Sequence, residues 1–351
     1  MLIDWFEKAL RPNHTSVSLW SSRRLRLAAV AAMLSVSTAV RLGAQAVPTA
    51  EARRAVALFE RGDYAGAKAA LAREGDRAST SYYLGRIALV EDRPGDAVGL
   101  FERAVKADGR NAEYHLWLGV ALGLQAREAG RLRQVTLAKR AKGEFERAVA
   151  LDPRSVAARE GLVRFYSVAP GIVGGSIRKA REHAAAIARV NPMRGRIANG
   201  MIRERERDFT AAEREYLAAA SISPDSAAPL MALGGLYQRV EQWDKAFAAY
   251  ERALALPGIE FPEALSAHYQ FGRTGALSGR RLEDSERSLK RWIERAPAGT
   301  SGRRVARTRA RLGMVYARQG RTDLARAEFE AALELNSKDA DAREGLAKLR
   351  Q

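Results

Sequence analysis

The sequence predicts an all-α solenoid built from antiparallel helix pairs. Three observations carry that reading: a repeat of about 34 residues, a fixed spacing of small and aromatic residues within each repeat, and a helix breaker at the end. Gly85 to Gly119 and Gly200 to Gly234 each span one full period. An early glycine is followed at one constant interval by alanine, in the pairs Gly85/Ala97, Gly200/Ala212, Gly234/Ala246 and Gly313/Ala325. One helical turn further on stands an aromatic ring: Phe101, Tyr216, Tyr250 or Phe329, with Phe145 in the same relation to Ala141. Proline follows the alanine at an equally constant interval, in Ala141/Pro153, Ala180/Pro192 and Ala212/Pro224.

Each spacing has a steric meaning. Small residues such as Gly85 and Ala97 belong where two antiparallel helices approach most closely, and Phe101 or Tyr250 fills the gap between one pair and the next. Asp152-Pro153 and Ser223-Pro224 stop the second helix. One such pair cannot bury its apolar face alone, whereas a stack can. Eight units are expected. The first is degenerate, with Ala55, Ala67 and Leu71 in the small, small and large roles. The others carry Gly85, Gly119, Val163, Gly200, Gly234, Gly272 and Gly313 at the early small position. Val163 departs from the pattern, as do Ser285 and Leu289 where alanine and an aromatic are usual. A helix over 339–349 is expected to cap the stack with a polar outer face.

With its Leu-Gly, Ala, aromatic, Ala, Pro skeleton, the chain resembles the tetratricopeptide repeat family over about residues 49–351. That resemblance implies a right-handed superhelical solenoid with a C-terminal capping helix. It also implies a concave groove, lined by the first helix of each unit, that receives peptides or partner helices. Carried over by offset from the early small residue, the groove candidates are Tyr82, Arg86, Leu116, Arg164, Ile197, Met201, Arg205, Met231, Arg239, Tyr269, Arg273, Met314 and Arg318. Arginine suits carboxylates, while methionine and aromatics suit adaptable apolar contact. The family's chaperone-tail clamp requires Lys and Asn where this chain has Tyr82 and Arg86, so that ligand is not supported.

Two units are interrupted. The third carries ten extra residues between Gly119 and Ala141, and the fourth five extra between Val163 and Ala180, filled by "APGIVGGS". A glycine-rich turn before a helix can cradle phosphate. A P-loop, however, follows a strand and ends in Gly-Lys-Ser or Gly-Lys-Thr. Here the loop follows a helix, and Ser176 reads as the N-cap of the next one.

The N-terminal segment 1–46 reads as an export signal. Arg23, Arg24 and Arg26 precede an apolar run over 27–40, which Ala44-Gln45-Ala46 closes. Cleavage is expected after Ala46, leaving a solenoid over 47–351 in the periplasm or secreted. Retention as an inner-membrane anchor is the alternative, although the apolar run is short for a bilayer span, which takes about 20 residues.

Composition excludes several chemistries. The 351 residues include no cysteine, which removes disulfides, thiolate metal sites and cysteine nucleophiles. The four histidines (His14, His115, His183, His268) are scattered, and neither HExxH nor GxSxG occurs. No catalytic residue, cofactor or metal is therefore expected; the sequence reads as a non-enzymatic binding scaffold. Lys and Arg outnumber Asp and Glu by 59 to 41, a formal +18. An acidic protein or peptide is the expected partner, with anionic lipid or polysaccharide as the alternative. Two basic clusters, 131–142 and 303–311, lack the interleaved aromatics of a strand-binding platform, so nucleic acid is not expected. The rival roles are an assembly factor of an envelope complex that uses its convex face or an edge, and a repeat domain that accompanies catalysis, with the "APGIVGG" loop or the unit-three insertion forming a site.

Overall fold

The computed structural model describes residues 49–350 apart from 76, 260 and 298; the expected export signal lies outside the described residues. These residues form 17 α-helices and one short 3-10 turn, with no strand among them. The first two units pair α1 (Ala50–Glu60) with α2 (Tyr64–Ala72), and α3 (Ala78–Val90) with α4 (Pro94–Ala107). The third and fourth pair α5 (Ala112–Glu128) with α6 (Arg131–Leu151), and α7 (Val156–Val168) with α8 (Ile177–Val190). The fifth and sixth pair α9 (Pro192–Arg205) with α10 (Phe209–Ile222), and α11 (Ala227–Arg239) with α12 (Trp243–Leu254). The last two pair α13 (Phe261–Ser278) with α14 (Leu282–Arg295), and α15 (Gly302–Arg318) with α16 (Thr322–Leu335); α17 (Ala340–Lys348) follows alone.

Local chemistry sets these boundaries. Asp63, Asn111, Ser155, Asp208 and Asp339 cap helix N-termini by accepting from a backbone N–H two or three residues on. Ser176 does the same for α8, accepting from Lys179 N. Between α8 and α9 there is no loop at all: Asn191 closes one helix, caps the next through Arg194 N, and Pro192 takes the first helical position. Inside most units the chain turns at a residue with positive φ, at a fixed offset past the early small residue: Gly62, Asp92, Arg207, Glu241, Gly279 and Gly320.

Packing follows the Gly–aromatic code. A Cβ on Gly85 would lie 2.8 Å from Phe101, and one on Gly119 or Gly161 would lie 2.8 Å from Phe145. Phe145 is thus wedged between the first helix of its own unit and that of the next. Unit four inverts the volumes. Val163 stands where others have glycine and Ala184 where others have the ring, and both are buried in one cluster. Exchanging large for small across a contact conserves its volume, which explains why the departure at Val163 is tolerated. In unit seven Leu289 fills the ring's place against Gly272.

The insertions resolve differently. In unit three the extra residues lengthen α5 and α6 to 17 and 21 residues, so the basic run 131–142 is helix, and Arg140 bonds Glu102 at 2.5 Å. In unit four they form the turn Gly171–Val173, where Gly174 takes φ +103° and Gly175 has no room for a Cβ beside the Ala169 carbonyl. The first helices of successive units touch one another, and among the described residues the second helices make no comparable contact. Such asymmetry curves the stack with the first helices inside.

Candidate functional site: the concave face

All thirteen groove candidates stand on first helices, from Tyr82 and Arg86 on α3 to Met314 and Arg318 on α15. Their environments differ sharply. Tyr82, Arg86 and Ile197 are buried, which corrects their expected place on an open surface. Arg86 is only 4% exposed. Its guanidinium lies 3.8 Å from the Trp117 ring centroid and 5.0 Å from that of Phe59, and donates to the Tyr82 hydroxyl at 2.7 Å. Three aromatic faces offset the cost of taking that charge out of water. Tyr82 in turn donates to Glu113 at 2.5 Å, and burial pushes its phenol well above the usual value.

Leu116, Met201, Met231 and Met314 are half-buried, each packed against the apolar cluster of its own part of the stack. Tyr269 lies beside Trp292, their centroids 6.2 Å apart. Arg164 is half-buried on α7 and acts electrostatically on the Tyr216 hydroxyl.

The remaining arginines reach backward along the stack. Arg205 Nε donates to Ser167 O at 2.9 Å, and Arg318 donates to Ala276 O and Leu277 O at 3.1 Å each. Those carbonyls belong to the last turns of α7 and α13, where no intrahelical N–H remains to satisfy them. A cation there also complements the helix dipole. Arg239, at the equivalent position on α11, instead meets the Glu204 carboxylate of α9. Arg273 donates to Gln238 Oε1 at 2.8 Å, and Gln238 is itself held by Thr274 Oγ1 and Gln270 O. Sequence reasoning overlooked Glu204 and Gln238; the signal was their position immediately before Arg205 and Arg239, one unit back from the arginines they receive.

Among the described residues Arg205, Arg273 and Arg318 bond neutral acceptors, which leaves their positive charge on the first helices. Among the described residues no three His, Asp or Glu side chains converge as a metal site, and no helix is long and apolar enough to cross a membrane.

One histidine of α13 faces the second helix of its own unit. His268 on α13 is half-buried beside Arg291 and Arg295, and burial and those charges lower its pKa to about 4. Among the described residues its Nδ1 has no hydrogen-bond partner. The folded state keeps the ring neutral, whereas the unfolded chain protonates it near 6.5, so stability falls as pH drops from about 6.5 towards 4. A His268→Phe variant should lose less stability than the parent over that window, read from urea midpoints at pH 7 and pH 5.

The fold defines a superhelical scaffold of repeated helix pairs. Family models described as tetratricopeptide repeat match residues 52–108, 82–132 and 306–349, so the chain carries tetratricopeptide repeats towards both ends. Among solved structures it is similar to a chain in the crystal structure of the APC/C hetero-tetramer Cut9-Hcn1, at 13% identity and a TM-score of 0.47. The similarity covers 84% of this chain and 63% of that one, so the protein spans less than two thirds of its length. No curated protein matches the sequence.

Proposed function

We propose that the protein is an exported, non-enzymatic scaffold that holds an extended acidic peptide or a partner helix against its concave face. The observation that carries this reading is the inner row itself. Met201, Met231 and Met314 supply adaptable apolar contact, and Arg205, Arg273 and Arg318 retain their charge beside them. Export rests on the basic, apolar and small-residue order of residues 23–46.

The test is co-purification from envelope extract with the parent and with Met201→Glu/Met231→Glu/Met314→Glu. Capture of a defined protein by the parent, reduced on the order of tenfold in the variant, is expected. Equal capture by both removes the groove reading. Fractionation of a tagged protein checks export: full-length material in the cytoplasm defeats it.

A second reading has its own support. Leu132 and Ile172, at the tips of the lengthened unit-three hairpin and the unit-four turn, are 90% and 92% exposed. Apolar side chains left that bare on neighbouring tips favour docking by an edge. Loss of the captured protein in Leu132→Asp/Ile172→Asp, with the methionine variant unaffected, would select this reading.

A further inference from the structure

The far end of the chain returns to its beginning. Arg303, in the first turn of α15, touches residues of units two and three. Its Nε lies 2.9 Å from Asp92 Oδ2, its Nη1 lies 2.9 Å from Glu128 Oε1, and its Nη2 donates to Asp92 O at 2.6 Å. Ser301 Oγ donates to the same Asp92 carboxylate at 3.3 Å. Nearby, a Cβ on Gly299 would lie 3.7 Å from the Tyr64 ring, and Arg304 acts electrostatically on the Tyr64 hydroxyl. The leading edge of unit eight therefore rests on the turn edge of units one to three. The curvature of the stack has brought the two edges together, and one guanidinium satisfies a carboxylate from each of two units.

We propose that this contact is a salt-sensitive latch that holds the superhelix in a closed turn and controls lateral access to the concave face. The charged side chains are 43%, 32% and 46% exposed, so water and ions reach them. Pairs so exposed are individually weak and are screened by salt, with a Debye length of about 3 Å at 1 M. Away from this seam the units pack only on their neighbours, so the solenoid is compliant and small changes at each interface add along its length. Weak contacts at the seam can thus govern a large movement of the ends. The control of access rests on the concave face being the binding surface; the latch itself does not.

The absence of cysteine allows site-specific labels. Gly99→Cys on α4 and Lys338→Cys after α16, both exposed, report the distance between the early and late units by double electron–electron resonance. Arg303→Glu should shift that distribution to longer and broader values, as should 1 M NaCl on the parent. Asp92→Arg/Glu128→Arg combined with Arg303→Glu should restore the short distance. Arginine is acceptable at position 92 despite φ +58°, since Arg207 takes φ +64° at the same place in unit five. An unchanged distance in Arg303→Glu overturns the latch.

Access is read separately with Gly235→Cys on α11, where a Cβ meets only Arg239 Nη1 at 3.6 Å. Its modification by a polymer-bearing maleimide should accelerate about fivefold in Arg303→Glu, with a small maleimide unaffected. Equal rates overturn the gating. Neither measurement uses a ligand, so failure of the proposed function would leave both results intact.

Discussion

An Arg239→Ala variant is expected to lose about 3–5 kcal/mol of stability, because it strands a buried carboxylate. Glu204 is the reason. Its side chain is 6% exposed, enclosed between α9, α10 and α11, with Arg239 on one side and the Tyr216 hydroxyl donating at 2.5 Å on the other. Tyr216 is itself wholly buried, and burial holds its phenol well above the usual value, so it remains a donor throughout the physiological range. Without the guanidinium, the carboxylate would keep the Tyr216 hydroxyl and only the charge of Arg164, which acts on that hydroxyl from α7. Urea titration gives the loss directly, and Arg239→Ala/Glu204→Gln should recover part of it by removing the charge as well. A loss below about 1 kcal/mol would mean that water reaches Glu204 once the arginine is gone. The result bears on function too: charge reversal at Arg239 would disturb folding, so binding experiments on this face need other positions.

Much of the fold was legible because the repeat writes its packing locally. The interval from Gly313 to Phe329 recurs from Gly85 to Phe101, and it alone places a ring against a bare backbone across one hairpin. The same offsets put every groove candidate on a first helix. What they left open was the direction in which each side chain is spent. Whether Arg318 faces a ligand or the Ala276 carbonyl depends on how the preceding unit ends, a relation between units that the repeat pattern does not encode. Arg86 shows the same limit, since its cage draws Phe59, Tyr82 and Trp117 from three units. The positive-φ turns were half visible, as glycine at 62, 279 and 320, but hidden where Asp92, Arg207 and Glu241 take that conformation. The seam at Arg303 was out of reach. It arises from a superhelical turn summed over the intervening units, and no local spacing records it. The basic run 303–311 is divided among partners: Arg303 at the seam, Arg309 on Glu328 and Arg311 on Asp341.

Phe329→Ala should cost about 3–5 kcal/mol and should release the C-terminal end of the stack before the rest. The ring is 1% exposed and occupies the position at which α15, α16 and α17 meet. A Cβ on Gly313 would lie 2.7 Å from it, and one on Gly345 would overlap it, so the capping helix docks by offering its own bare backbone to the last aromatic. Ala342, at zero exposure, completes that contact, while Asp339 caps the helix by accepting from Ala342 N at 3.1 Å. Truncating the ring leaves a cavity lined by two glycines, which have no side chains with which to collapse into it. The buried contacts of unit eight are with unit seven and the cap, and its seam with units two and three is charged and part-exposed, so the deficit stays at this end of the stack rather than spreading evenly. Hydrogen exchange should therefore quicken in α15 to α17 while α9 to α12 keep their protection. Loss of protection along the whole chain at once would show that the solenoid unfolds as one cooperative body and that its end does not fray independently.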